Sequence, residues 1–260
     1  MAKEEVSRAF SAYKSQTRGC HKREFLLKFG RDRRTYLSWL FEAKKRYGLC
    51  ILNYVVTSNH VHLLLVDDET GTAIPRSIQL AAGRTGQQYN RRKQRKGAFW
   101  QDRYHATAVE TGIHLIRCLV YIDMNMVRAG VVDHPSNWQC CGFHEIQHPK
   151  QRYRLIDRER LSQLLGIDSA DRLTASHAQW IEAELKRKEK VRQERWTERI
   201  AVGGKTYVES IRDRLGMRAR SKWIDRLGDT WAVRETSSAY SSNITPENGR
   251  LSTENQYFWN

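Results

Sequence analysis

Several residues carry functional groups at spacings suited to chemistry on a phosphate. His60 and His62 are two positions apart, so in a strand their imidazoles share one face while Val61, Leu63 and Leu65 point to a core on the other. A neutral imidazole pair at this spacing can hold one divalent cation and leave part of its coordination sphere open to a phosphate oxygen. Tyr121 and Asn125 are four apart and so share one helix face, one turn from each other. A tyrosine placed there can attack a phosphodiester while the Asn oxygen completes a metal's shell. The stretch RTGQQYNRRKQRKGAFWQDR carries Arg84, Arg91, Arg92, Lys93, Arg95, Lys96 and Arg103, with Tyr89, Phe99 and Trp100 interleaved. Cations neutralise phosphates, and rings such as Trp100 stack on unpaired bases, so this run suits single-stranded nucleic acid. Taken singly, each group also has a plain reading: satisfied strand histidines, a core tyrosine, a solvated charge run.

Positioning these residues requires a particular series of elements. Apolar spacing predicts a helix from Arg31 to Tyr47, stopped by Gly48. Two antiparallel strands follow, Leu49 to Thr57 and His60 to Val66, joined by a tight turn at Ser58-Asn59. A helix from Ala73 to Arg92 has Pro75 in its first turn. Tyr104 to Val109 alternates as a strand, and Gly112 to Arg128 repeats apolar residues at helical spacing until Gly130. With a short polar strand near Tyr13 to Thr17, the series is that of a ferredoxin-like α+β fold, an antiparallel sheet with helices on one face, followed by one extra helix. Beyond Pro149, Leu155 to Leu165, Leu173 to Arg199 and Tyr207 to Leu215 read as helices, broken at Gly203-Gly204 and Gly216. The expected organisation is a catalytic domain over 1–149, a helical appendage over 150–236 and an irregular tail over 237–260.

Composition narrows the function classes. The chain of 260 residues has 45 Lys and Arg against 29 Asp and Glu, a net charge of +16 that favours a polyanionic partner. Residues 1–150 hold 24 basic and 13 acidic residues, and residues 151–260 hold 21 and 16, so the stronger field belongs to the N-terminal part. Five cysteines without CxxC spacing argue against a disulfide framework and a thiolate zinc site, and read as reduced, mostly core residues. No apolar run is long enough for a membrane span and the first residues lack a secretory pattern, so the expected location is the cytoplasm, with the nucleoid. GxGxxG, P-loop and GxSxG motifs are absent from the sequence, which removes support for nucleotide cofactors and serine hydrolysis.

Three blocks in order resemble one family. Asn59-His60-Val61-His62-Leu63-Leu64 is similar to the metal strand of the HUH single-strand tyrosine transposases, most closely the branch associated with repetitive extragenic palindromes. Phe99-Trp100-Gln101-Asp102-Arg103-Tyr104 is similar to that family's Trp-Gln-x-Arg-Tyr segment, and Tyr121 to Gly130 to its nucleophile helix. The resemblance covers about residues 13–146 and departs from the branch at Lys14, Ser58, Asp102 and Met126. It implies Tyr121 as nucleophile, His60 and His62 as ligands of Mg²⁺ or Mn²⁺, and Asn125 as the residue assisting the metal.

The implied activity is cleavage and rejoining of single-stranded or hairpin DNA through a 5′-phosphotyrosine, by a monomer or homodimer. Two other readings share the same residues: a DNA-binding regulator without catalysis, and a structured-RNA-binding module.

Overall fold

The structure is a computed structural model that describes residues 13–66, 68, 70–101, 104–187, 193–215 and 222–235. Strand β1 (Tyr13–Gly19) leads into helix α1 (Gly30–Tyr47), which ends where Gly48 takes a left-handed φ of 68° and returns its N–H to the Lys44 carbonyl. Strands β2 (Cys50–Val56) and β3 (His60–Val66) form a hairpin across Ser58-Asn59, closed by Thr57 N–H donating to the His60 carbonyl. Helix α2 (Ala73–Arg92) and strand β4 (His105–Val109) complete the antiparallel order β2-β3-β1-β4. That order is the ferredoxin-like arrangement expected from the sequence.

Every residue of β2 and β3 after the first is buried, so with the extra helix the sheet is covered on both faces. Helices α1 and α2 pack on the face of Val61: Arg18, its partner in register, lies against the Trp100 ring, which meets Tyr36 of α1 and donates to the Ala82 carbonyl of α2. Helix α3 (Ile113–Asp123) covers the opposite face, where Asn53 Nδ2 donates to the Leu119 carbonyl. The extra helix is thus the element that turns a two-layer fold into three layers.

The C-terminal part is helical over α5 (Phe143–Gln147), α6 (Arg158–Leu165), α7 (Ala170–Lys186) and α8 (Lys205–Arg214), following the single turn α4 (Asn125–Arg128). It also supplies three strands where the sequence pattern predicts only helices and breaks. Strand β5 (Ala201–Gly203) adds to β4 in parallel, and a hairpin of β6 (Lys222–Leu227) and β7 (Thr230–Glu235) extends the sheet beyond it. The helix predicted to run to Arg199 ends at Lys186. Leu161, Leu173, Ile181, Trp196 and Val202 lie in the same core as the N-terminal sheet and helices. The tail from 237 onward lies outside the described residues.

Candidate active site

The histidine pair stands at the first residues of β3, where the hairpin turn hands the chain to the sheet. Their rings meet nearly edge to face, with centroids 4.8 Å apart and an interplanar angle of 87°. His60 Nδ1 lies 2.6 Å from Asn59 Oδ1, so the ring donates there and its lone pair falls on Nε2. Thr57 fixes the same residue from below: its Oγ1 accepts from His60 N–H at 3.0 Å and donates to the His60 carbonyl at 2.9 Å. An outer hydrogen bond that sets the tautomer is a usual companion of a metal-binding imidazole, and two neutral nitrogen donors suit a divalent metal ion whose other ligands are oxygens. His62 is almost fully buried, whereas His60 is half-buried at the rim.

Tyr121 is delivered to this pair from α3. Its ring stands perpendicular to that of His62, with centroids 6.1 Å apart. The tyrosine is only 4% exposed: the Arg128 guanidinium carbon sits 4.1 Å from the ring centroid, and the Trp196 ring lies 6.3 Å away on the C-terminal segment. Arg128 also donates to the Tyr121 carbonyl where the helix is interrupted, Met124 having a ψ of 1°. Burial draws the Arg128 guanidinium below its usual range, and Tyr121 and Glu184 oppose that shift. Asn125 follows the interruption as the half-buried first residue of α4, so it lies just beyond the helix that carries Tyr121 instead of one unbroken turn along it. Among the described residues, no group of three His, Cys, Asp or Glu is placed to hold a metal ion.

Several contributors leave no mark in the sequence pattern. The far end of α3 is locked by Asp123, whose Oδ2 accepts from His177 Nε2 at 2.9 Å with both side chains fully buried. Gln147 Nε2 donates to His177 Nδ1 at 2.8 Å and thereby selects the tautomer that serves Asp123. The segment bearing Trp196 is pinned to β4: Thr107 Oγ1 donates to the Arg199 carbonyl at 2.5 Å and His105 Nε2 lies 2.9 Å from the same oxygen. The signal for these partners is weak in a sequence, because the groups that meet are 30 to 94 positions apart.

The basic run divides. Arg92 pairs with Asp32, which is buried, and Arg95 binds the Ala98 carbonyl at 2.9 Å and Glu24 at 3.6 Å, so both are tied into the fold. Arg84 lies over Trp39 at 5.5 Å. Arg91, Lys93 and Lys96 are exposed, and Arg91 lines a groove between α1 and α2 together with Arg31, Tyr89 and Arg92. Trp100, expected to stack on bases, is corrected to a packing residue: it is 9% exposed and its indole N–H is satisfied within the protein. Arg103 lies outside the described residues. Cys20 and Cys50 have their thiols pushed up to about 12, chiefly by burial, and Cys20, Cys118, Cys140 and Cys141 are buried, in keeping with core roles.

Residues 18–125 match the family model described as IS200-like transposases. This span contains His60, His62, Tyr121 and Asn125, and the match supports a transposase-type function for the segment. No curated protein matches significantly. A solved structure, the tyrosine transposase associated with repetitive extragenic palindromes (REP) bound to a REP hairpin, aligns at 19% identity with a TM-score of 0.42, covering 52% of this chain and 78% of the other. No helix among the described residues is long and apolar enough to cross a membrane.

Proposed function

We propose that this transposase-like chain cuts and rejoins single-stranded DNA through Tyr121. The observation that carries the reading is the edge-to-face meeting of Tyr121 with His62 on the one sheet face where the two imidazoles also converge. The phenolic oxygen attacks a backbone phosphorus, the bond from phosphorus to the 3′ oxygen breaks, and a 5′-phosphotyrosine and a 3′-hydroxyl result. Reversal restores the phosphodiester without ATP, since the bond is exchanged and not hydrolysed. His60 and His62, with Asn125, would hold Mg²⁺ or Mn²⁺, which when bound polarises the phosphate and steadies the leaving oxygen. Arg128, lying on the ring, stabilises negative charge as the tyrosine loses its proton. The Trp196 segment has to shift before a DNA backbone can reach a residue so enclosed.

The same enclosure favours the rival in which the protein binds DNA without cutting it. A denaturing gel of hairpin-bearing single-stranded DNA incubated with Mn²⁺ decides between them. The enzyme gives a covalent protein–DNA adduct that Tyr121→Phe loses. Binding with no adduct over varied sequences and metals selects the rival.

A further inference from the structure

With Trp100 and Phe99 in the core, two of the three rings expected in the basic run are not where bases could reach them, and the third, Tyr89, is half-buried. Two other rings are open to bases. Phe25 is 65% and Phe29 57% exposed, unusual for phenylalanine four residues apart, on the loop between β1 and α1. This loop is held from beneath by Leu26 and Leu27, both buried, and Arg33 Nη1 donates to the Leu27 and Lys28 carbonyls at 3.0 and 2.7 Å. The exposure therefore belongs to a built turn.

The turn also adjoins the hairpin turn that leads into His60. Leu27 N–H donates to the Ser58 carbonyl at 2.9 Å, and Cys20 N–H donates to the Asn59 carbonyl at 2.7 Å. Ser58 is two residues before His60, at most about 7–8 Å along an extended chain. Cations surround the rings: Lys28 is exposed on the same loop, and Lys93 Nζ lies 5.8 Å from the Phe29 centroid. One acid, Glu24, is exposed there and faces Arg95.

We infer that Phe25 and Phe29 form a stacking platform for unpaired DNA bases flanking the phosphate presented to His60 and Tyr121. This rests on the single-strand reading above and supplies its missing aromatic contacts. Exposed rings beside ammonium groups suit a strand that offers base faces and phosphates together, whereas a paired duplex hides its base faces.

The test uses full-length Tyr121→Phe protein, so binding is read without cleavage, and a single-stranded oligonucleotide containing 2-aminopurine. Phe25→Ala and Phe29→Ala should each weaken binding on the order of tenfold and remove the fluorescence quenching that stacking causes, while affinity for a blunt duplex stays the same. Phe25→Tyr and Phe29→Trp should retain both signals, and circular dichroism should be unchanged because both rings are exposed. The proposal is overturned by unaltered single-strand affinity, by equal loss on duplex, by a preference for RNA, or by a dimer that dissociates when either ring is removed. If the wild-type protein forms no adduct but these variants still lose single-strand binding, the catalytic reading fails and the platform stands. If the wild-type protein forms the adduct and the variants bind single strands undiminished, the platform fails and the catalytic reading stands.

Discussion

The two faces of the central sheet use the same kind of strand for different ends. On the face of Val61, Leu63 and Leu65, α1 and α2 close a largely apolar core, and apart from the buried Asp32 with its partner Arg92 most charges of those helices lie toward the outer surface. On the other face the strand presents His62, the helix presents Tyr121, and the C-terminal segment adds Trp196, so polar groups are enclosed where hydrocarbon would pack at lower cost. Enclosure raises the strength of every charge interaction there and holds the groups in one geometry. On the function proposed above, the difference separates chemistry from affinity: the buried face would carry the reacting groups, and the exposed cations the attraction for a polyanion.

The separation breaks most visibly at the histidines. His62→Ala, or a chelator, should reduce DNA cleavage by more than the ~10- to 100-fold that loss of an outer hydrogen-bond partner costs, with DNA affinity at low salt changed little. Asn59→Ala removes the acceptor from His60 Nδ1 and should fall inside that ~10- to 100-fold range. Cleavage rates at saturating DNA, set against binding constants, read both. Parallel loss of affinity and cleavage would mean that the two faces do not divide the work as described.

Trp196→Ala tests whether the cover is also part of the fold. The side chain is fully buried in the main core, so its removal should cost about 3–5 kcal/mol of unfolding free energy by denaturant titration. The same variant should bring Tyr121 within reach of solvent quenchers and leave binding to the exposed cations intact. A loss under about 1 kcal/mol would detach the C-terminal segment from the core.

How much of the molecule is legible in its sequence follows from the range of each interaction. The order β1-α1-β2-β3-α2-β4 and the boundaries of β3 and α2 are set by local periodicity and turns, and these can be read directly. His60 and His62 share a face because a strand alternates, and Tyr121 falls on α3 because its neighbours repeat at helical spacing. The inward turn of Trp100 is hidden, because composition cannot say which rings of a basic aromatic run face the core. The structural role of Arg92 is hidden as well, because its partner Asp32 is 60 positions away. Strand β5 is three residues long and begins at a parallel pairing, which leaves no period to detect, whereas the Gly228-Asp229 loop between Leu227 and Thr230 is a two-residue hairpin signal that local sequence does carry. The second covered face of the sheet follows from β2 and β3 being apolar at nearly every position, a pattern that marks strands buried on both sides.

Within the basic run, Arg91 and Arg92 are neighbours in sequence and opposites in role. Arg92→Ala leaves the buried Asp32 without its cation and should cost about 1–3 kcal/mol of stability. Arg91→Ala should leave stability within about 0.5 kcal/mol. Its effect should appear in the salt dependence of DNA binding, as a slope lower by about 1. Denaturant melts and salt titrations of the two variants form a matched pair, and a reversal of the two outcomes would reassign the run.

The smallest expected effect concerns pH and lies away from the histidine pair. Burial lowers the pKa of His114 below its ordinary 6.5, with Glu110 opposing the shift at 3.5 Å. In the unfolded chain the imidazole takes up its proton near 6.5, and in the folded chain only at lower pH, so the unfolded state binds more protons between the two values. Stability contributed by this residue is therefore full above pH 6.5 and declines as pH falls from there to the folded value, below which it is flat. Replacing His114 with Gln removes the titration, so the difference in unfolding free energy between wild type and variant should narrow or change sign as pH is lowered from about 7 to about 5. A difference constant over that range would show that His114 is protonated with the same ease in both states, and that its enclosure beside Glu110 offsets burial completely.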